Sequence, residues 1–220
     1  MNLAEFELKI SQDRGYKYIG GIDEVGRGCL AGPMVTAIVV YDIEKLQKKF
    51  LNSDILKKIS SIKDSKKLSE KKREELAVFI KSTAHFYHIN ENSSKEIDSQ
   101  GISNITNYSF LENFNQAKNN SNIDFVFTDA FKIKNLDTKF QESLIKGDNT
   151  SLSIASASII AKVYRDNLMK ELSKESDFQI YKFENHKGYG TSEHLEIIKK
   201  FGPSPLHRKT FEPIKSMFII

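Results

Sequence analysis

YIGGIDEVGRGCLAGPMVTAIVVY, residues 18–41, governs how the rest of the chain is read. Its opening apolar run, Tyr18 to Ile22, has the length and character of a buried strand. The run ends in two adjacent carboxylates, Asp23 and Glu24. A glycine-rich turn, Gly26-Arg27-Gly28, and then Ala31-Gly32-Pro33 lead into a second apolar run from Met34 to Tyr41. Strand, tight loop and returning strand make a hairpin-like unit, with acid at the strand end and exposed backbone in the loop. Neighbouring side chains of a strand point to opposite faces. Asp23 and Glu24 therefore serve one site only where the strand ends or bends, and Gly26 permits that bend. Paired carboxylates beside a glycine loop suit a hard divalent cation next to a phosphate.

Working outward, residues 1–17 read as a short helix or arm. A basic helical region follows the hairpin from about Ile43 to Ile59, and Asp64-Ser65-Lys66-Lys67 is a loop. Ser69 is placed to cap the next helix, with Leu76, Phe79 and Ile80 on one face. Ala84 to Ile89 reads as a third strand, Ser93 or Ser94 as a cap, and Ser103 to Lys118 as a longer helix. Asp124 to Thr128 reads as a fourth strand ending at Asp129, and Ser143 to Lys146 as a short fifth, ending near Asp148. Thr150 is expected to cap a helix running to about Leu172. Beyond Ser173 come a loop with His186, a helix near Ser192 to Phe201 and a proline-marked end. Strands first, then strands alternating with helices, fit an α/β fold with a mixed central sheet flanked by helices. Asp23 and Asp129 fall at the carboxyl ends of strands, the edge where open α/β sheets place ligands.

Composition narrows the class. The 220 residues include 15 Phe and 8 Tyr, enough for a core, and point to one domain spanning 1–220 with a helical extension from about 173. Net charge is +4, which by itself says little. Its distribution says more: Lys45 to Arg73 holds eleven Lys or Arg, well in excess of its acids, a patch suited to phosphate backbones. One cysteine, Cys29, excludes an internal disulfide and a cysteine-rich zinc site, and reads as a small packing residue. The opening MNLAEFELKI carries acids and no long apolar run, unlike a signal peptide, and Met34 to Tyr41 is far too short to span a bilayer. A cytoplasmic protein without membrane contact is expected.

Seven motifs in order resemble ribonuclease HII, the bacterial type 2 ribonuclease H. They are the 18–41 stretch, DSKKLS at 64–69, TDA at 128–130, KGD at 146–148, SIASASIIAKVYRD at 153–166, HKGYGT at 186–191 and GPSPLHRKTF at 202–211. The resemblance implies a ribonuclease H-like fold with a helical C-terminal part. It implies a metal-dependent endoribonuclease that hydrolyses the RNA strand of RNA–DNA hybrids and cuts 5′ to single ribonucleotides embedded in duplex DNA. Two-ion hydrolysis would leave 3′-hydroxyl and 5′-phosphate ends, in ribonucleotide removal and primer degradation. Asp23, Glu24, Asp129 and Asp148 would be the catalytic metal ligands. Periodicity alone does not bring these four together, since most Asp and Glu are solvated. An all-carboxylate set prefers Mg²⁺ or Mn²⁺ to zinc. Gly26, Arg27, Gly28 and Tyr189 would sense the ribose, whose 2′-hydroxyl separates RNA from DNA. Ser65, Lys66 and Lys67, and then Asn104, His207 and Arg208, are further substrate-contact candidates.

Bland alternatives attach to several positions. Asp166 lies within a helix and is expected to form a structural ion pair. His186, His194 and His207 receive no catalytic assignment, because metal-activated water lessens the need for a protein base. Ala130 stands where the family commonly has glycine, a small change unless φ is positive there. Ser156 stands where alanine is usual. The apolar Ser216–Ile220 end lacks the glutamine of a sliding-clamp peptide and is expected to pack on the body of a monomer. Two rivals remain. A type 3 enzyme acting on long hybrids usually carries an extra N-terminal domain, whereas 17 residues precede the first strand here. A binding-only protein would have no use for four clustered acids.

Overall fold

Two adjacent glycines, Gly20 and Gly21, let the first strand be covered closely on both faces. A Cβ on Gly21 would run into the backbone of Ser153 and Ile154, and one on Gly20 into the Ile123 side chain. The strand is therefore central, with a helix against each face. The structure, a computed structural model, describes residues 3–49, 52–62, 65 and 68–217.

The chain begins with helix α1 (Leu3–Arg14) and enters β1 (Tyr18–Val25). It returns antiparallel along β2 (Met34–Asp42), paired from Tyr18 with Asp42 to Val25 with Val35, which is the expected hairpin. The basic region is two helices rather than one, α2 (Ile43–Lys49) and α3 (Ser53–Ser61). Asn52 restarts the second by accepting the Asp54 and Ile55 amides. Ser69 caps α4 (Glu70–Thr83) as expected. Strand β3 (Phe86–Asn92) pairs antiparallel with β2, and Ser93 forms a capping box at α5 (Ser94–Gln100). Helix α6 (Ile102–Ser121) leads to β4 (Phe125–Asp129) and β5 (Gln141–Leu144), both parallel to β1. Helix α7 (Leu152–Leu172) is capped by Ser151, one residue later than expected, since Thr150 closes the preceding 3₁₀ turn. Among the described residues, α8 (Phe183–His186), α9 (Ser192–Phe201) and α10 (Ile214–Met217) follow.

The sheet order is β3-β2-β1-β4-β5, a mixed sheet with helices on both faces. On one face α7 packs on Ile19, Val35, Ala37, Val39, Phe125 and Phe127. Every residue of α7 from Leu152 to Ala161 is buried, so this helix is core on all sides rather than along one stripe. Its Ser and Ala residues permit the close approach that Gly21 requires. On the other face Phe110, Phe114 and Ala117 of α6 cover Ile22, Ile38 and Val126. Burying each such Ile or Phe contributes about 1.5–3 kcal/mol. Among the described residues, no helix is long and apolar enough to cross a membrane.

Candidate active site

Parallel pairing of β1 with β4 ends at Ile22 and Thr128. One residue on, Asp23 and Asp129 leave adjacent strands together. Strand alternation turns Asp23 toward α7, where its carboxyl meets the Ser158 side chain. The strand ends at Val25, and Gly26 follows at φ +82°, so Glu24 on the opposite face also reaches the strand-end cavity. Asp148 comes from the 3₁₀ turn Gly147–Asn149 just before α7. That turn is tied to β4, since the Gly147 amide donates to Asp129 Oδ1 at 2.7 Å.

All four acids line one cavity of about 500 Å³, together with Gly26, Arg27, Gly28, Ser65 and Tyr189. The cavity also takes in Ser158 and Lys162, which the sequence reading missed. Their signal was present: Ser158, Lys162 and Asp166 recur at i, i+4 and so share one face of α7. Burial raises the Asp23 carboxyl to about 8, and the negative charges of Glu24 and Asp129 add to the rise. Among the described residues, no three His, Cys, Asp or Glu side chains cluster closely enough to hold an ion as they stand. The donors are nonetheless all oxygens on one wall. That fits Mg²⁺ or Mn²⁺, which keep several waters and share ligands with substrate phosphate, better than a closed protein cage.

Two loops face the acids. Arg27 lays its guanidinium over Phe131, 4.3 Å from the ring centre, at the cavity mouth. Tyr189 is 39% exposed, with Lys162 and Arg165 at 5.7 and 5.8 Å from its ring. Burial pushes its hydroxyl up to about 12, so it stays a donor. Cys29 is fully buried beneath it, as a packing residue should be. Ser65 is buried and shares a 2.9 Å hydrogen bond with Ser158, while Lys66, Lys67 and Asp64 lie outside the described residues.

Three candidates fall elsewhere. Asn104 is exposed on α6 and donates to the carbonyl of Gln100 at the end of α5, outside the acidic cavity. His207 and Arg208 are 1% and 0% exposed and lie outside the acidic cavity, with their side chains bonded inside the protein. The Ser204 amide donates to His207 Nδ1 at 2.9 Å. This leaves His207 Nε2 to donate to His194 Nε2 at 3.0 Å, and His194 Nδ1 to donate to the Tyr189 carbonyl at 2.9 Å. Both rings are neutral in this chain of bonds, and burial lowers His194 to about 4 and His207 to about 3. Asp166 is a structural ion pair as expected, with Lys162 at 2.8 Å and Arg73 at 3.6 Å. Ala130 sits at φ 59°, the one circumstance in which its difference from glycine has a cost.

This sheet order, with acids at the ends of adjacent parallel strands and a fourth ahead of the covering helix, defines a ribonuclease H-like protein. Solved structures share the architecture. Ribonuclease H2 from Pyrococcus horikoshii OT3 superposes with a TM-score of 0.68 at 24% identity, over 91% of this chain and 96% of that one. The RNase HII of a PCNA:RNase HII complex from Archaeoglobus fulgidus gives 0.69 at 25%, over 86% and 91%. Bst-RNase HIII in complex with Mn²⁺ gives 0.67 at 19%, over 93% and 70%. The Ribonuclease HII family model matches residues 20–214. Ribonuclease HII of Clostridium botulinum (strain Loch Maree) is 48% identical across 96% of this chain and 77% of its own length. That of Clostridium beijerinckii is 48% identical across 89% and 68%. The chain belongs to the ribonuclease HII family: it is a ribonuclease H, a hydrolase that degrades the RNA of RNA–DNA hybrids endonucleolytically.

Proposed function

We propose that the protein cuts 5′ to single ribonucleotides embedded in duplex DNA as well as within longer hybrids, leaving 3′-hydroxyl and 5′-phosphate ends. The observation that carries this reading is the shared cavity: four acids face Gly26-Arg27-Gly28 and Tyr189 across one space of about 500 Å³. Asp23, Glu24, Asp129 and Asp148 hold the divalent ions in this reading, and the Mn²⁺ complex of Bst-RNase HIII supports a divalent cation. Bound Mg²⁺ or Mn²⁺ would supply an activated water and neutralise charge on the leaving oxygen. The chain's own residues bind and orient. The open backbone at Gly28 approaches the ribose, and Arg27 is placed for phosphate. The Tyr189 ring covers the sugar beside its hydroxyl donor. Lys162, which also lines the cavity, balances phosphate charge, and Ser65 adds a hydroxyl there; Lys66 and Lys67, outside the described residues, are further phosphate contacts in this reading. In this reading the protein acts in ribonucleotide removal and primer degradation. An archaeal relative was solved with PCNA. Part of the apolar C-terminal end of this chain lies outside the described residues, and clamp binding forms no part of the proposal.

The test is cleavage of a duplex with one ribonucleotide, beside an all-DNA duplex and a long hybrid, in Mg²⁺ or Mn²⁺. One cut 5′ to the ribonucleotide, with all-DNA untouched, is expected. Asp23→Asn should abolish turnover yet leave a folded protein that no longer gains thermal stability from Mn²⁺. Wild-type cleavage by that variant would remove Asp23 from the metal site.

A further inference from the structure

Arg165 and Arg208 are both completely buried, yet among the described residues neither has a carboxylate partner. Buried guanidiniums are ordinarily paired with acids. Here both donate to main-chain carbonyls. Arg208 Nη2 reaches Gly26 O at 2.7 Å, its Nη1 reaches Arg27 O at 2.8 Å, and Nη2 and Nε reach Gly32 O at 3.0 and 3.2 Å. Arg165 reaches Pro33 O at 2.8 Å and Ala31 O at 3.1 Å. Its third bond, 2.8 Å to Lys187 O, crosses to the segment that carries Tyr189. The two loops also touch directly, since the Leu30 amide donates to Gly188 O at 2.8 Å.

The consequence is directional. With the Gly26 and Arg27 carbonyls drawn inward, the trans peptides turn the Arg27 and Gly28 amides the other way, on a turn that lines the cavity, and neither amide has a protein acceptor among the described residues. A row of outward amides is a receptor for phosphate or hydroxyl oxygen. Two positive charges behind it, neither in a salt bridge among the described residues, strengthen that preference. Gly26 is part of the same construction, because a Cβ there would collide with the Arg165 guanidinium.

We infer that Arg165 and Arg208 form a paired clamp that sets ribonucleotide selectivity, by fixing the amide face of the glycine loop against the Tyr189 segment. They are positioning residues and touch no substrate. This inference rests on the assignment of that loop and Tyr189 to ribose sensing.

The test is Arg208→Lys in the full-length chain, with Arg165→Lys as an independent second variant. Lysine keeps the charge but cannot span three carbonyls. The measurement is kcat/KM on the single-ribonucleotide duplex and on the long hybrid. The clamp predicts at least a tenfold loss on the first and less than a threefold loss on the second, with the Mn²⁺-induced thermal shift retained. Equal losses on both substrates, or no loss on either, would overturn the clamp. If one variant fails to fold, the other decides by the same ratio. A wild-type protein that leaves the single-ribonucleotide duplex uncut overturns the selectivity assignment, and the clamp with it; equal losses overturn the clamp alone.

Discussion

Two glycines separated by one residue make different demands in the Gly26-Arg27-Gly28 turn. Gly26 has φ +82° and no room for a methyl group against Arg165, whereas Gly28 has open space around it and no positive φ. Gly26→Ala should therefore destabilise the fold by roughly 2–4 kcal/mol in denaturant unfolding. Gly28→Ala should change stability by less than about 0.5 kcal/mol, while its methyl, set on the exposed substrate side, weakens cleavage of the single-ribonucleotide duplex. Ala130 presents the opposite situation, an alanine held at φ 59° on an exposed turn. Ala130→Gly should stabilise the protein by about 0.5–1 kcal/mol, because relief of the left-handed strain exceeds the added entropy of the unfolded chain. Denaturant midpoints of the two proteins give the comparison directly.

At the scale of elements, the short C-terminal helices are joined by two small apolar clusters and by a chain of histidines. His186 stacks on His194 with ring centres 4.1 Å apart, and His194 bonds His207 across to the segment after α9. This arrangement requires neutral rings. The unfolded histidines protonate near their usual 6.5, but His194 and His207 do so only near 4 and 3 in the fold. The unfolded chain thus binds more protons in acid, so this stability is complete above about pH 7 and is lost as pH falls from 6.5 toward 4. The loss is on the order of 2–4 kcal/mol per ring. A His194→Asn, His207→Asn double variant should lose less stability than wild type between pH 7 and 4.5 in urea titrations. Taking the difference between the two proteins cancels the carboxylates' own response.

For the whole molecule, a net charge of +4 understates the field around the site. Negative charge is gathered at the four acids, while Lys162 lines the same cavity and the buried pair Arg165 and Arg208 stands behind the 26–28 turn. Hybrid binding should weaken with salt, and Lys162→Ala should flatten the log–log salt slope by about 0.9 if that lysine meets one phosphate. Binding isotherms in Ca²⁺ across a salt series measure it; an unchanged slope would confine Lys162 to its pairing with Asp166.

Much of this molecule is written locally. The hairpin, the Ser69 and Ser93 caps, the α9 span and the strand-end acids follow from runs, caps and turns, which depend on residues close in sequence. The motif order carried the family. The close approach of α7 to Gly21, and the inward turn of His207 and Arg208, depend on partners more than a hundred residues away in several cases, such as Ser153 for Gly21 and Gly26 for Arg208. A charged residue in a C-terminal segment reads as exposed because isolated burial of charge is so unfavourable. Only the tertiary structure supplies the ring of carbonyls that makes burial tolerable, and so only it shows the Arg208 guanidinium bonded to the main chain of the glycine loop.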